Sequence, residues 1–178
     1  MKVRADHDDV RPTLEARGAD RIGTVEQVDT YYDAPHRDFA DTDEALRIRR
    51  EATHGEETAT VVTYKGPLLE AESKTREEIE TPIHSVEDVD AILSALGFEP
   101  AAEVTKRRER WRLDSYLVTL DDVAGLGEFV EVEAETAAEA AIESVREGAY
   151  DLLRSLDLDP EEQIRTSYLG LLLADDAE

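Results

Sequence analysis

The chain has 178 residues, of which 44 are acidic and 20 basic, for a formal net charge of -24, and 40% are hydrophobic. Negative charge spread along the whole length argues against a surface built to coat nucleic acid, and the apolar fraction suffices for a core and against a disordered chain. With no cysteine there are neither disulfides nor thiolate metal sites, and the N-terminal run MKVRADHDDV lacks the apolar centre of a secretory signal. No stretch reaches membrane-spanning length, so a cytoplasmic location is expected, and the lack of a Pro/Gly/Ser-rich linker predicts one domain over 1–178. Only four of the 20 basic residues are lysine and sixteen are arginine, which together with the acidity predicts adaptation to a salty, halophilic cytoplasm.

Asp8 to Arg17 predicts a short helix with Pro12 in its first turns, Leu14 facing inward and Gly18 as its stop. β-branched and aromatic residues predict strands over Thr24–Tyr32, Ala45–Arg50 and Thr58–Tyr64, with a hairpin turn near His54-Gly55-Glu56. Lys74–Thr81 alternates charged with other residues and reads as a further strand. After Pro82, Ser85 opens a helix as a capping box with Asp88; Val89, Ile92, Leu93 and Leu96 form its apolar face, and Gly97 ends it. Glu103–Leu113 and Tyr116–Val123 predict a strand pair, which a Gly125-Leu126-Gly127 break separates from a strand over Glu128–Ala134. A long amphipathic helix is expected from Thr136, with Ile142, Val145, Ala149, Leu152 and Leu156 on one side; a last helix after Pro160 carries Ile164, Tyr168 and Leu171.

One internal similarity bears on the fold. LEARGA at Leu14–Ala19 is similar to LSALGF at Leu93–Phe98, and at the same offset a valine, Val25 or Val104, opens a strand. Two related strand-helix-strand units whose strands pair into one barrel are the expectation. A full strand precedes the second helix, whereas only Met1 to Ala5 precede the first, so the first strand is expected to lack its start.

Residues two apart on a strand share a face. Arg47 with Arg49, then Arg76, Glu78 and Glu80, then Lys106, Arg108 and Arg110, and finally Glu131 with Glu133 each make a charged face. For any one strand a wet sheet face accounts for the pattern. Taken together, the helices after Ser85 and Thr136 need sheet surface to cover, so the charged faces are expected on the inside: an α+β fold, a closed antiparallel β-barrel or tunnel with helices packed on its outside. Such a lumen calls for a polyanion with a cation, and polyphosphate with Mg²⁺ or Mn²⁺ meets the need. Three of the four lysines, Lys2, Lys65 and Lys106, fall in these strand positions. His7, His36, His54 and His84 read as surface residues and Trp111 as core; of Tyr31 and Tyr32, one is expected in the core and the other at the tunnel mouth.

In order and spacing, DTYYD, LRIRR, TYKGP, REEIE, the helix ending LGF, VTKRRERW and above all LDDVAGLGEFVEVE resemble the CYTH or triphosphate tunnel metalloenzyme superfamily, nearest to class IV adenylyl cyclases of the CyaB type. The resemblance covers nearly the whole chain. It implies that Arg47, Arg49, Lys65, Arg76, Lys106 and Arg108 grip a nucleotide or inorganic triphosphate, and that Glu131 and Glu133 hold Mg²⁺ or Mn²⁺ with Asp121 and the Glu78/Glu80 pair. Lys2 would be the catalytic lysine of an N-terminal ExExK motif whose two glutamates would precede Met1. Implied too are conversion of ATP to cyclic AMP or hydrolysis of a triphosphate, no nucleic-acid duplex or membrane as partner, and room for a homodimer. Loss of the two glutamates leaves a third expectation, a non-catalytic polyphosphate-binding module.

Overall fold

The structure, a computed structural model, describes residues 1–53, 56–136 and 138–175; the turn expected near His54-Gly55 and the position of His54 lie outside them. In chain order the elements are β1 (Lys2–Arg4), α1 (His7–Ala16), β2 (Asp20–Asp33), α2 (Phe39–Thr42), β3 (Ala45–Thr53), β4 (Glu56–Glu70), β5 (Thr75–Pro82), α3 (Val86–Ala95), β6 (Glu99–Leu113), β7 (Tyr116–Val123), β8 (Gly127–Glu133), α4 (Ile142–Ser155) and α5 (Tyr168–Asp175). The chain divides into two compact units, one made of Met1–Thr24 and Lys106–Glu178, the other of Val25–Thr105. All described strand pairs are antiparallel, and among the described residues no ladder closes the strands into a ring, so hydrogen bonding gives an α+β fold without the closure expected from sequence.

In the first unit the strand order is β1-β8-β7-β6. One face of this sheet is apolar: Val3, Trp111, Leu113, Val118, Leu120, Val130 and Val132 meet Val10 and Leu14 of α1 and Ala149, Leu152 and Leu153 of α4 in a single core. Period-2 alternation on the strands and 3.6-residue spacing on the helices put these residues on facing surfaces, and their burial is the main source of stability. Asp6 caps α1 by accepting from the Asp8 N–H. Glu109 ties that helix to β6: its carboxylate takes Arg11 at 3.3 Å, Arg21 at 2.8 Å and the Trp111 indole N–H at 3.0 Å. Burial alone would raise the Glu109 pKa, but Arg21 and Arg11 outweigh it and hold the carboxyl below its usual range.

The second unit carries β2-β3-β4-β5. Tyr32 and Ile48 are buried on one face, and the Tyr32 hydroxyl donates to Asp90 of α3 at 2.9 Å. The two helix ends singled out for their similarity share one hydrogen-bond pattern: Gly18 N–H to Glu15 O and Ala19 N–H to Leu14 O, matched by Gly97 N–H to Ser94 O and Phe98 N–H to Leu93 O, all between 2.9 and 3.0 Å. Both glycines have positive φ, 76° and 89°, the left-handed stop that favours glycine.

Four expectations are corrected. His7 is not a surface residue: it is 5% exposed, its Nε2 donating to the Phe129 carbonyl at 3.0 Å. The apolar face of α3 does not become core; no residue of α3 is buried, and Ile92 and Leu96 are 58% and 64% exposed. The helix expected from Thr136 starts at Ile142, after a 3₁₀ turn over Glu139–Ala141. Pro160 opens only a 3₁₀ turn, capped by Asp159, after which Gln163 turns extended and the Ile164 N–H bonds the Lys2 carbonyl at 2.8 Å, so Ile164 stands outside the last helix. No helix among the described residues is long and apolar enough to cross a membrane.

Leu153→Ala, at a fully buried site, should lower unfolding free energy by about 2–5 kcal/mol in urea titration, while Ile92→Ala should change it by less than about 0.5 kcal/mol. Because the folded Glu109 pKa lies below its unfolded value, its contribution is complete above the unfolded carboxylate range and lost as pH falls through the folded pKa. Glu109→Gln should therefore be less stable by about 1–3 kcal/mol at pH 6, with the gap to wild type narrowing towards pH 3.

Candidate active site

The face of the first unit's sheet opposite the core is ionic. Register puts Arg108 of β6 against Asp121 of β7, Thr119 against Glu131 of β8, and Glu131 against Lys2 of β1, all on this face. Arg108 is the hub. Its Nε and Nη2 form a fork on Asp121 at 2.7 and 2.6 Å; Nη2 also donates to Glu131 at 2.6 Å and Nη1 to Glu133 at 3.1 Å. Lys106 donates to Asp121 Oδ2 at 3.0 Å. Asp121 is fully buried, Lys106 and Arg108 nearly so. Burial opposes charge on Arg108, yet Glu133, Asp121 and Glu131 more than compensate and raise its pKa. Burial would likewise raise the Glu131 pKa, but Arg108 and Lys106 hold that carboxyl far below its usual range.

Lys2, the expected catalytic lysine, lies nearby with Thr166 and Tyr168, which were not singled out as functional from sequence. The Lys2 ammonium donates to the Thr166 carbonyl at 2.5 Å and lies over the Tyr168 ring. Burial, then the negative field of Glu131 and Asp121, pushes the Tyr168 pKa up, so this phenol stays protonated. Buried atoms without a hydrogen bond of normal geometry include Thr119 Oγ1 and the Tyr168 hydroxyl. Buried polar atoms are normally paired, which sets these two apart.

The second unit has its own charged face. Asp29, 2% exposed, is gripped by Arg49 through Nε at 2.6 Å and Nη2 at 2.7 Å, with Arg47 Nη1 at 3.3 Å. Register places Tyr31 opposite Arg47 on this face. Burial raises the Tyr31 pKa. Arg47 Nε is buried without a partner among the described residues. Lys65 pairs with Glu78 at 2.7 Å, and the Thr63 hydroxyl donates to Glu80 at 2.8 Å. Arg76 stands apart from that pair: a register shift between Lys65 and Leu68 turns it to Asp43, whose carboxylate it meets at 2.9 Å. Asp29 lay within the DTYYD stretch, two residues from Tyr31, and strand alternation could have found it.

Of the residues expected to bind metal, Asp121, Glu131, Glu133 and Glu78 thus appear in ion pairs, and Glu80 accepts the Thr63 hydroxyl. Among the described residues no group of three or more His, Asp or Glu side chains is arranged to hold a metal ion. Glu131 and Glu133 still present hard carboxylate oxygens two residues apart on one strand face, the donor chemistry that Mg²⁺ or Mn²⁺ takes, and Arg108 occupies the oxygens described above. Arg108→Met would leave Lys106 alone against the buried carboxylates of Asp121 and Glu131, so it should cost about 3–5 kcal/mol in urea denaturation; a loss below about 1 kcal/mol would contradict the hub role.

The model of the CYTH domain matches residues 1–168. A protein of Methanocaldococcus jannaschii named "Putative adenylate cyclase MJ0240" is 37% identical over 172 residues, spanning 96% of this chain and 95% of that protein. Adenylate cyclase CyaB of Aeromonas hydrophila is 27% identical over 146 residues, 82% of this chain and 72% of that protein. The solved structure of the PH1819 protein from Pyrococcus horikoshii OT3 superimposes with a TM-score of 0.90 at 36% identity, covering 98% of this chain and 97% of that one.

Proposed function

The chain belongs to the CYTH domain family, and on that premise we propose that it is a class IV adenylyl cyclase-like enzyme converting ATP to 3′,5′-cyclic AMP and pyrophosphate. The observation that carries this reading is the convergence of Lys106, Arg108 and three carboxylates on one buried sheet face with unpaired polar atoms beside them. Relatives named for adenylate cyclase support the choice of reaction.

Lys106 and Arg108 take phosphate oxygens, a guanidinium fork and an ammonium being suited to them. Arg47, Arg49, Lys65 and Arg76 carry the same chemistry within the second unit, and the family resemblance assigns them to phosphate as well. Cyclisation forms a bond from the ribose 3′-oxygen to the α-phosphorus, breaks the bond from that phosphorus to the bridging oxygen, and releases pyrophosphate and the hydroxyl proton. Lys2 stands on the same face as Lys106 and serves charge neutralisation and orientation. Glu131 and Glu133, with Asp121, would hold Mg²⁺ or Mn²⁺ once Arg108 yields their oxygens, and the ion would supply charge neutralisation and a lower hydroxyl pKa; Glu78 and Glu80 offer equal oxygens in the second unit. The closed, charge-lined tunnel and the single domain over 1–178 belong to this proposal. Triphosphatase activity is the second reading, because the same cationic groups serve water attack on a terminal phosphorus. A polyphosphate-binding module without turnover is the third, favoured by Arg108 occupying the Glu131 and Glu133 oxygens that a metal would take.

The test is ³¹P NMR with ATP and, separately, tripolyphosphate, in Mg²⁺ and high salt. Pyrophosphate with a cyclic phosphodiester signal is expected from ATP. Orthophosphate release would replace the cyclase reading by triphosphatase, binding by calorimetry without product would establish the module, and no binding would sink all three. Glu133→Ala should lower the metal-dependent rate about 10–100-fold with an unchanged circular dichroism spectrum; full activity would remove Glu133 from the metal role.

A further inference from the structure

Tyr168 opens α5 and is 8% exposed. The Lys2 ammonium lies 4.1 Å from its ring centroid, the Lys106 ammonium 4.9 Å, and the Phe129 ring packs against it at 5.1 Å and 67°. Two hydrogen bonds to β1 deliver it there, Ile164 N–H to the Lys2 carbonyl at 2.8 Å and the Lys2 side-chain Nζ to the Thr166 carbonyl at 2.5 Å. One aromatic ring therefore stands within 5 Å of two like charges. A carboxylate in that place would neutralise an ammonium and compete with any anion for it. A ring attracts the cation through its quadrupole and stays uncharged, so it adds no further negative charge to the Asp121 and Glu131 carboxylates already on this face.

We propose that Tyr168 is a positioning residue whose ring holds the ammonium groups of Lys2 and Lys106 on the ionic face so that both meet the oxygens of an incoming triphosphate. The proposal rests on the reading of that face as a triphosphate site. The C-terminal segment from 163 to 168 thereby becomes part of the site's construction and not a tail beside it.

The chain's four lysines make the test direct. In the full chain with ¹³C-labelled lysine, two of the four ε-methylene signals, assigned by Lys2→Arg and Lys106→Arg, should be shifted upfield by the ring current of Tyr168. Tyr168→Leu should move both back, and Tyr168→Phe should restore them. Absence of the shifts in the wild type overturns the proposal whether or not any variant folds. Calorimetry with tripolyphosphate then reads the purpose: Tyr168→Leu should bind roughly tenfold more weakly, with Tyr168→Phe recovering most of the loss. Tripolyphosphate binding indifferent to Tyr168→Leu, or equally weakened by Tyr168→Phe, overturns the proposal and leaves the triphosphate reading standing. A wild type that shows the shifts and binds no tripolyphosphate overturns that reading and, with it, the assigned purpose of the lysines.

Discussion

Three carboxylates and a lysine are organised around the Arg108 guanidinium, which lies in a place where water does not reach. Removing such charges from water costs several kcal/mol per ion, and the cost is offset only when geometry supplies a partner for each. Strand register does so here. Arg108 faces Asp121 directly across β6 and β7, and β8 brings Glu131 and Glu133 within reach on the same side. The opposite side of those strands must then be apolar, since every second residue turns away, and α1 and α4 cover it. A sheet buried on both faces, greasy on one and ionic on the other, follows from that single constraint.

The second unit repeats the device with other letters. Asp29 sits between two arginines, and the nearest carboxylate holds their charges together. Ion clusters of this kind are poor evidence of stability, since apolar replacements often fold at least as well. Arg47 keeps a buried nitrogen unpaired, which fits a group held for a ligand more than one held for folding.

Strands and their charged faces were legible because a period of two residues is a property of the chain alone. Trp111 could be assigned to the core because it is three residues from Arg108 and so points the other way. Helix ends were legible through Gly18 and Gly97, whose conformation few other residues adopt. What depends on partners distant in sequence was not legible. His7 looks like a polar residue at a helix start, and only the fold brings the Phe129 carbonyl to its ring. Ile92 and Leu96 have core spacing, but spacing cannot say whether a surface exists to cover them. Tyr168 read as one more apolar helix position, since its lysine neighbours come from β1 and β6, 166 and 62 residues earlier.

Assembly of the first unit from both ends of the chain has a kinetic consequence. The second unit is one unbroken run, Val25–Thr105, and all its ladders are complete before residue 106 is made. In the first unit β1 waits for β8 and Lys2 waits for Thr166, a separation of 164 residues. Contacts that close so long a loop form late, because their entropy is spent before any reward. During synthesis from the N-terminus, one charged face is thus in place while the other is still half made, and the seating of Lys2 beside Glu131 and Thr166 is among the last contacts of the molecule to form.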